Sequence, residues 1–300
     1  MADYRMTFDL HTHTAFCTAG GRRILHAKGS VEENVAAAAE KGLAAIGISN
    51  HGPGHLTYGM SLADVRALRE EILEAQERHP EIQIYLGVEA NIINPSGRLD
   101  LAADDFSEFD YIMAGYHYGI LGEQPFAAAA LHGANWLCGH IPPLRALAGG
   151  SLKRANTKRV LAAVQGNAPI SGGNGGLAVL THPGDKGPLD IDSAAAACAA
   201  AGTWMEINNY HRDLSVEAIR RAAKYDVSFI IGSDAHTPER VGGFERALER
   251  ALEAGISEDR IVNIEKVEKT AQTEKTEQVG KILKAAEPQE KTGQAETNKR

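Results

Sequence analysis

The chain has 300 residues, 43% hydrophobic and 23% charged, with 39 acidic against 31 basic residues and a net charge of −8. This is globular composition at a length that suits one α/β barrel domain, and it excludes a small disulfide scaffold, a coiled coil and a disordered chain. The acidic balance argues against a nucleic-acid partner.

In chain order, seven short β-rich apolar runs each end in polar, ligand-grade residues. They are Met6–Leu10 before His11, Ala44–Ser49 before His51, Ile82–Val88 before Glu89, and Tyr111–Gly115 before His117. Leu177–Leu180 before His182, Thr203–Met205 before Glu206, and Val227–Gly232 before Asp234 complete the set. Helical stretches alternate with them. Ser30 to Lys41 opens with the capping box Ser30-x-x-Glu33 and stops at Gly42. Ser61–Arg78 carries Leu62, Val65, Leu68 and Ile72 at helical spacing, and Ile191–Ala201, Ser215–Tyr225 and Phe244–Ala254 read as helices too. The alternation predicts parallel strands with crossover helices, and ligand-grade residues at strand ends predict a distorted seven-stranded barrel, with an open doubly wound sheet as the fallback.

Two regions break the rhythm. Residues 119–176 are rich in Gly and Ala and read as an insertion with a helix near Lys153–Gln165, either a lid over the barrel mouth or a surface excursion. Residues 263–300 follow the barrel domain of 1–262 as a Lys, Glu, Gln, Thr and Ala tail that reads as disorder or a frayed helix. Cys17, Cys138 and Cys198 read as reduced thiols and, with no secretory signal and no run near the roughly 18 apolar residues of a membrane span, point to the cytoplasm and away from a membrane.

The chemistry starts at Asp9-Leu10-His11-Thr12-His13. In a strand, residues i and i+2 face the same side, so two imidazoles converge as a metal site requires. Asp234 and His236 repeat the geometry with a carboxylate and an imidazole. Either pair alone would read as ordinary polar residues. Single donors, His51, Glu89, His117 and His182, cap the other strands, and barrel closure brings them all to one rim.

At this point the chain resembles the PHP (polymerase and histidinol phosphatase) family of metal-dependent phosphoesterases. The matching pieces are Asp9-Leu10-His11-Thr12-His13, Ile48-Ser49-Asn50-His51-Gly52, Gly87-Val88-Glu89-Ala90-Asn91 and Ala114-Gly115-Tyr116-His117. They continue with Thr181-His182-Pro183-Gly184, Glu206-Ile207-Asn208-Asn209 and Gly232-Ser233-Asp234-Ala235-His236, in order over residues 6–262. The Glu-Ala-Asn and Glu-Ile-Asn-Asn strings point to the stand-alone phosphatase branch. The resemblance implies a distorted (β/α)7 barrel and three divalent metal ions, Zn foremost with Mn or Fe also suited. By the same resemblance His11, His13, Glu89 and Asp234 hold one metal, His26, His51 and His236 a second, and Glu89, His117 and His182 a third. His26 is assigned as the histidine that follows the first motif and leads into a helix. Relatives often carry Asp where Asn50 stands, and Asn would orient His51 less strongly.

The expected activity is hydrolysis of a small phosphomonoester by metal-activated hydroxide at this trinuclear site, without a covalent enzyme intermediate. Supporting roles are read for Asp9, orienting His11 or His13, for Glu206 and Asn209 at the mouth, and for Arg212, either a phosphate clamp or a solvated helix-start residue. Arg22, Arg23, His55 and Lys186 are further candidate anion contacts, whereas His79, His132 and His140 read as ordinary histidines. The alternatives are a histidinol-phosphate phosphatase within the same chemistry, a nuclease, an amidohydrolase-like enzyme, and a metal-binding protein without turnover. Oligomeric state is left open.

Overall fold

The computed structural model describes residues 4–18, 20–120, 125–166 and 177–267, side chains within 125–129 excepted. Seven strands form one parallel sheet: β2 (Phe8–Thr12), β5 (Ala45–Ile48), β6 (Gln83–Asn91), β7 (Tyr111–Gly115), β8 (Leu177–Leu180), β9 (Trp204–Asn208) and β10 (Phe229–Gly232). They neighbour one another in chain order. Between them run α1 (Val31–Glu40), α2 (Leu62–Arg78), α3 (Pro125–His140), α4 (Pro142–Gly166), α5 (Ile191–Ala201) and α6 (Val216–Ala222), and α7 (Glu245–Glu253) follows β10. Two small antiparallel pairs lie outside the barrel: β1 (Tyr4–Met6) with β11 (Ile264–Lys266), and β3 (Phe16–Cys17) with β4 (Arg23–Ile24).

The expected seven-stranded barrel is therefore present, and nearly closed. At the rim the His13 amide donates to Ala235 O at 2.8 Å and the Ala235 amide to His11 O at 3.3 Å. Below the rim one side chain fills the seam between β2 and β10. Asn263, fully buried, donates from Nδ2 to Phe8 O (2.8 Å) and Ile231 O (2.7 Å), and accepts from the Ile231 amide at 3.0 Å. The Thr7 amide donates to Asn263 O. The position at which the composition changes thus staples the first strand to the last, and residues 268–300 of the expected tail lie outside the described residues.

Alternate residues of the strands fall into two apolar groups, as period 2 dictates. Ile46, Ile48, Leu86, Val88, Ile112, Ala114, Met205, Ile207 and Ile231 pack with the helices. Phe8, Leu10, Ala45, Tyr111, Met113, Val179 and Ile230 pack with strand residues and Val262, with no helix residue among them, and so fill the barrel. Tyr111 lies across β5 and β6, where any Cβ on Gly47 or Gly87 would collide with its ring, and donates to Leu10 O at 2.5 Å.

The helices begin where the sequence puts them. Ser30 and Glu33 form the expected capping box, and Ser61 with Asp64 forms a second one at α2. The insertion holds two helices, not one, because α4 starts at Pro142 and α3 precedes it. The three cysteines are free, and among the described residues no helix is long and apolar enough to cross a membrane.

Candidate metal centre

The barrel-filling faces of β6, β7, β9 and β10 turn polar toward the C-terminal end at the same two-residue spacing. Tyr85 and Gly87 lead to Glu89, Met113 and Gly115 to His117, Trp204 to Glu206, and Ile230 and Gly232 to Asp234. On β2 the pairing slips between Asp9 and Thr12, a bulge that shifts the inward phase from Leu10 to His11 and His13. Strained backbone brings in His182 and also turns Asp234. His182 (φ 24°) and Asp234 (φ 52°) are the only non-glycine residues with positive φ among the described residues. Such strain costs on the order of 1–3 kcal/mol per residue and collects at functional sites.

All nine residues named as ligands in the sequence meet here. Glu89, 1% exposed, is the hub: Oε1 lies 2.8 Å from His182 Nε2 and 3.1 Å from His117 Nε2. Its Oε2 lies 3.2 Å from His51 Nδ1, 3.3 Å from His11 Nε2 and 3.6 Å from His13 Nε2. Asp234 Oδ1 is 3.5 Å from His13 Nε2 and 3.8 Å from His11 Nε2. His26 Nε2 faces His236 Nε2 at 2.8 Å and His51 Nε2 at 3.2 Å, with its ring stacked on Tyr58 at 3.7 Å. Among the described residues four groups have ligand atoms close enough to share an ion: His11, His13 and Asp234; His13, His51 and His236; His51, Glu89 and His117; and, beside them, Asp185, His211 and Asp213.

The protonation states of His13, His26, His51, Glu89 and Asp234 suit cation binding, whereas burial is overcome at His11 by Glu206 and Glu89, which raise it, and at His182 by Glu89, which does the same. Burial, reinforced by His236, pushes His13 down to about 4 and His26 to about 3, and burial lowers His51 as well. Burial opposes the anions of Glu89 and Asp234, but the surrounding imidazoles outweigh it and hold both well below the usual carboxylate range. Neutral imidazoles and ionised carboxylates are what a divalent ion needs. Meanwhile His11 Nε2, both ring nitrogens of His13, and His51 Nδ1 are buried without a hydrogen bond. Buried polar atoms are rarely left so; cations at this rim would satisfy His11 Nε2, His13 Nε2 and His51 Nδ1, whereas His13 Nδ1 points away from its own Nε2 and cannot share its ion.

The supporting residues rearrange the sequence reading. Glu206 is buried inside the barrel, Oε1 at 2.6 Å from His11 Nδ1, while Oε2 accepts from the His182 amide (2.6 Å) and Asn208 Nδ2 (3.1 Å). Asp9, expected to orient an imidazole, instead accepts from the backbone amides of His11, Ser233 and Gly242, because its side chain lies across the seam. Asn50 does not reach His51; its amide group bonds the Thr14 backbone and hydroxyl. Asn209 accepts from the Ala247 amide in the first turn of α7. Arg212 is exposed and has no polar partner among the described residues.

Its neighbour His211, passed over in the sequence, lies 3.3 Å from both Asp234 Oδ2 and Asp185 Oδ1. Asn91 was passed over too, and its Oδ1 meets His117 Nδ1 at 2.6 Å while Asp100 holds its Nδ2. The signal was available: Asn91 and Asn208 each follow a buried Glu by two residues and must share its face. Of the further anion contacts, Lys186 pairs with Asp185, His55 stacks on Tyr58, and Arg22 and Arg23 are exposed near the β3–β4 pair. His79 is bound to Glu32 at 2.7 Å, His140 stacks on Trp136, and His132 is buried beside Tyr116.

A family model described as the PHP domain matches residues 9–161. A protein of Shewanella sp. (strain MR-4), named "Probable phosphatase", is 27% identical over 266 residues, 85% of this chain and 86% of that protein. Another of that name from Syntrophotalea carbinolica is 30% identical over 264 residues, 85% of this chain and 90% of its own length. Among solved structures, histidinol phosphate phosphatase from Lactococcus lactis subsp. lactis, complexed with zinc, L-histidinol and phosphate, aligns with TM-score 0.49 and 15% identity over 84% of this chain and 95% of that one.

Proposed function

The chain belongs to the PHP domain family, and from that premise we propose that it is a metal-dependent phosphatase acting on small soluble phosphomonoesters at a three-metal site. The observation that carries the reading is the convergence of seven imidazoles and two carboxylates on one rim, with buried imidazole nitrogens that no hydrogen bond satisfies. In this reading His11, His13, Glu89 and Asp234 would hold one ion, His26, His51 and His236 a second, and His117 and His182 a third shared through Glu89. Divalent ions bound there would leave surplus positive charge for a phosphate dianion and lower the pKa of water toward neutrality. Zinc is the first candidate, since imidazole with carboxylate suits it, and manganese and iron are the others.

The protein's own groups prepare that chemistry. Glu206 and Asn91, each 2.6 Å from an Nδ1, hold the ring protons of His11 and His117 there and turn Nε2 toward the cluster. His236 Nδ1 donates to Asp234 O at 3.0 Å, which turns its Nε2 to His26. The hydroxyls of Thr12, Ser49 and Ser233 donate to backbone carbonyls, so none of these three is free to act as a nucleophile.

The test is metal quantification on the purified protein paired with a panel of phosphomonoesters, histidinol phosphate among them, assayed after chelation and after re-addition of Zn, Mn or Fe. Expected are close to three ions per chain, loss of hydrolysis on chelation, and recovery on re-addition. Hydrolysis that survives complete removal of metal would overturn the reading.

A further inference from the structure

Among the described residues, the hairpin of α3 and α4 contributes no side chain to the nine-residue cluster. None of the 39 acidic residues lies between Gln124 and Gly184, yet that stretch carries Arg145, Lys153, Arg154, Lys158 and Arg159. Such segregation gives the hairpin a positive field over a body left correspondingly more acidic. α4 has 25 residues, about 37 Å at the rise of an α-helix, while β7 and β8 have five and four. All its buried residues, Asn156, Thr157, Val160, Ala163 and Val164, lie in its second half. The first half therefore extends past the barrel on the mouth side, packed against α3. Its corner exposes Trp136 (47%), Leu137 (40%), Ile141 (38%) and Leu147 (84%). Arg145 is used up at the corner, donating to Cys138 O and Gly139 O. Arg154 and Lys158 are exposed and continue the face of Leu147 at seven and eleven residues beyond it.

A complementary surface lies on α2 of the same chain. Glu70, Leu73, Glu74 and Glu77 fall at helical spacing on one exposed stripe, with Leu73 52% exposed at its centre. We infer that the α3–α4 hairpin of one copy docks on the α2 stripe of a second copy. Trp136 and Leu147 are the apolar anchors against Leu73, and Arg154 and Lys158 meet the glutamates at the margin. A two-fold contact between hairpins would oppose two surfaces of like charge. The charge pattern selects a head-to-tail contact, which closes into a ring or runs on as a filament.

Sedimentation velocity of the full chain tests this. Wild type associates, more weakly as salt rises. W136S/L147S and E70K/E74K, confined to exposed positions, each sediment as monomers. Mixed in equal amounts they form a discrete dimer, because each retains one intact surface. R154E/K158E is likewise monomeric, and placing all four changes in one chain, E70K/E74K/R154E/K158E, recovers association through the swapped charges, which a misfolded variant could not do. A monomeric wild type, self-association of E70K/E74K at wild-type strength, or mixtures that stay monomeric would each overturn the proposal. So would a monomeric wild type that binds phosphatidylglycerol vesicles through Trp136, which would assign the hairpin to a lipid surface.

Discussion

Glu206 shows how one side chain governs several ligands. It is 1% exposed and touches the His11 ring, the strained His182 backbone and Asn208, which in turn donates to Asp234. Replacing it by Gln keeps the shape but offers an amide N–H toward His11 Nδ1, favouring the tautomer whose Nε2 carries the proton. E206Q is expected to weaken metal binding by about 10–100-fold, read as metal retained under chelator competition, while circular dichroism stays unchanged. Retention equal to wild type would remove Glu206 from the proposed role. At this scale the candidate ligands were legible because His, Asp and Glu at strand ends have few structural uses. Their supports were less so. Asp9 looked like an orienting carboxylate in sequence, and only the path of the seam shows that backbone amides claim it. Arg212 and His211 differ by one position, and no periodic pattern in a loop decides which side chain turns inward.

At the scale of elements, the barrel makes room for its polar layer by thinning the layer beneath. Gly232 on β10 lies where any Cβ would strike Glu206 Oε1 and crowd His11 Cβ. G232A should therefore displace Glu206 and cost about 1–3 kcal/mol, measured by denaturant unfolding, and it should reproduce the metal loss of E206Q without altering any polar group. The seven strands were readable from their apolar runs, because parallel strands covered on both faces have little else in them. The β2 bulge was not, since one extra residue leaves no mark on composition. Nor was α3, whose Ala- and Gly-rich sequence reads equally well as loop and is given its helical form alongside α4.

For the whole molecule, the decisive residue stands outside every motif. Asn263 satisfies Phe8 O, Ile231 O and the Ile231 amide across the β2–β10 gap. N263A would leave those buried groups without partners and should destabilise the protein by about 3 kcal/mol, seen as a lower denaturation midpoint with an unchanged slope. Nothing in the local sequence could announce this, because the asparagine's value comes from two strands more than 200 positions apart.

The same gap separates His11 and His13 from Asp234 and His236. A cation gripped by both pairs would tie the barrel's two ends together above the rung that Asn263 supplies below. Loading the site and locking the fold would then be one event, and a metal-starved chain would part along that line first.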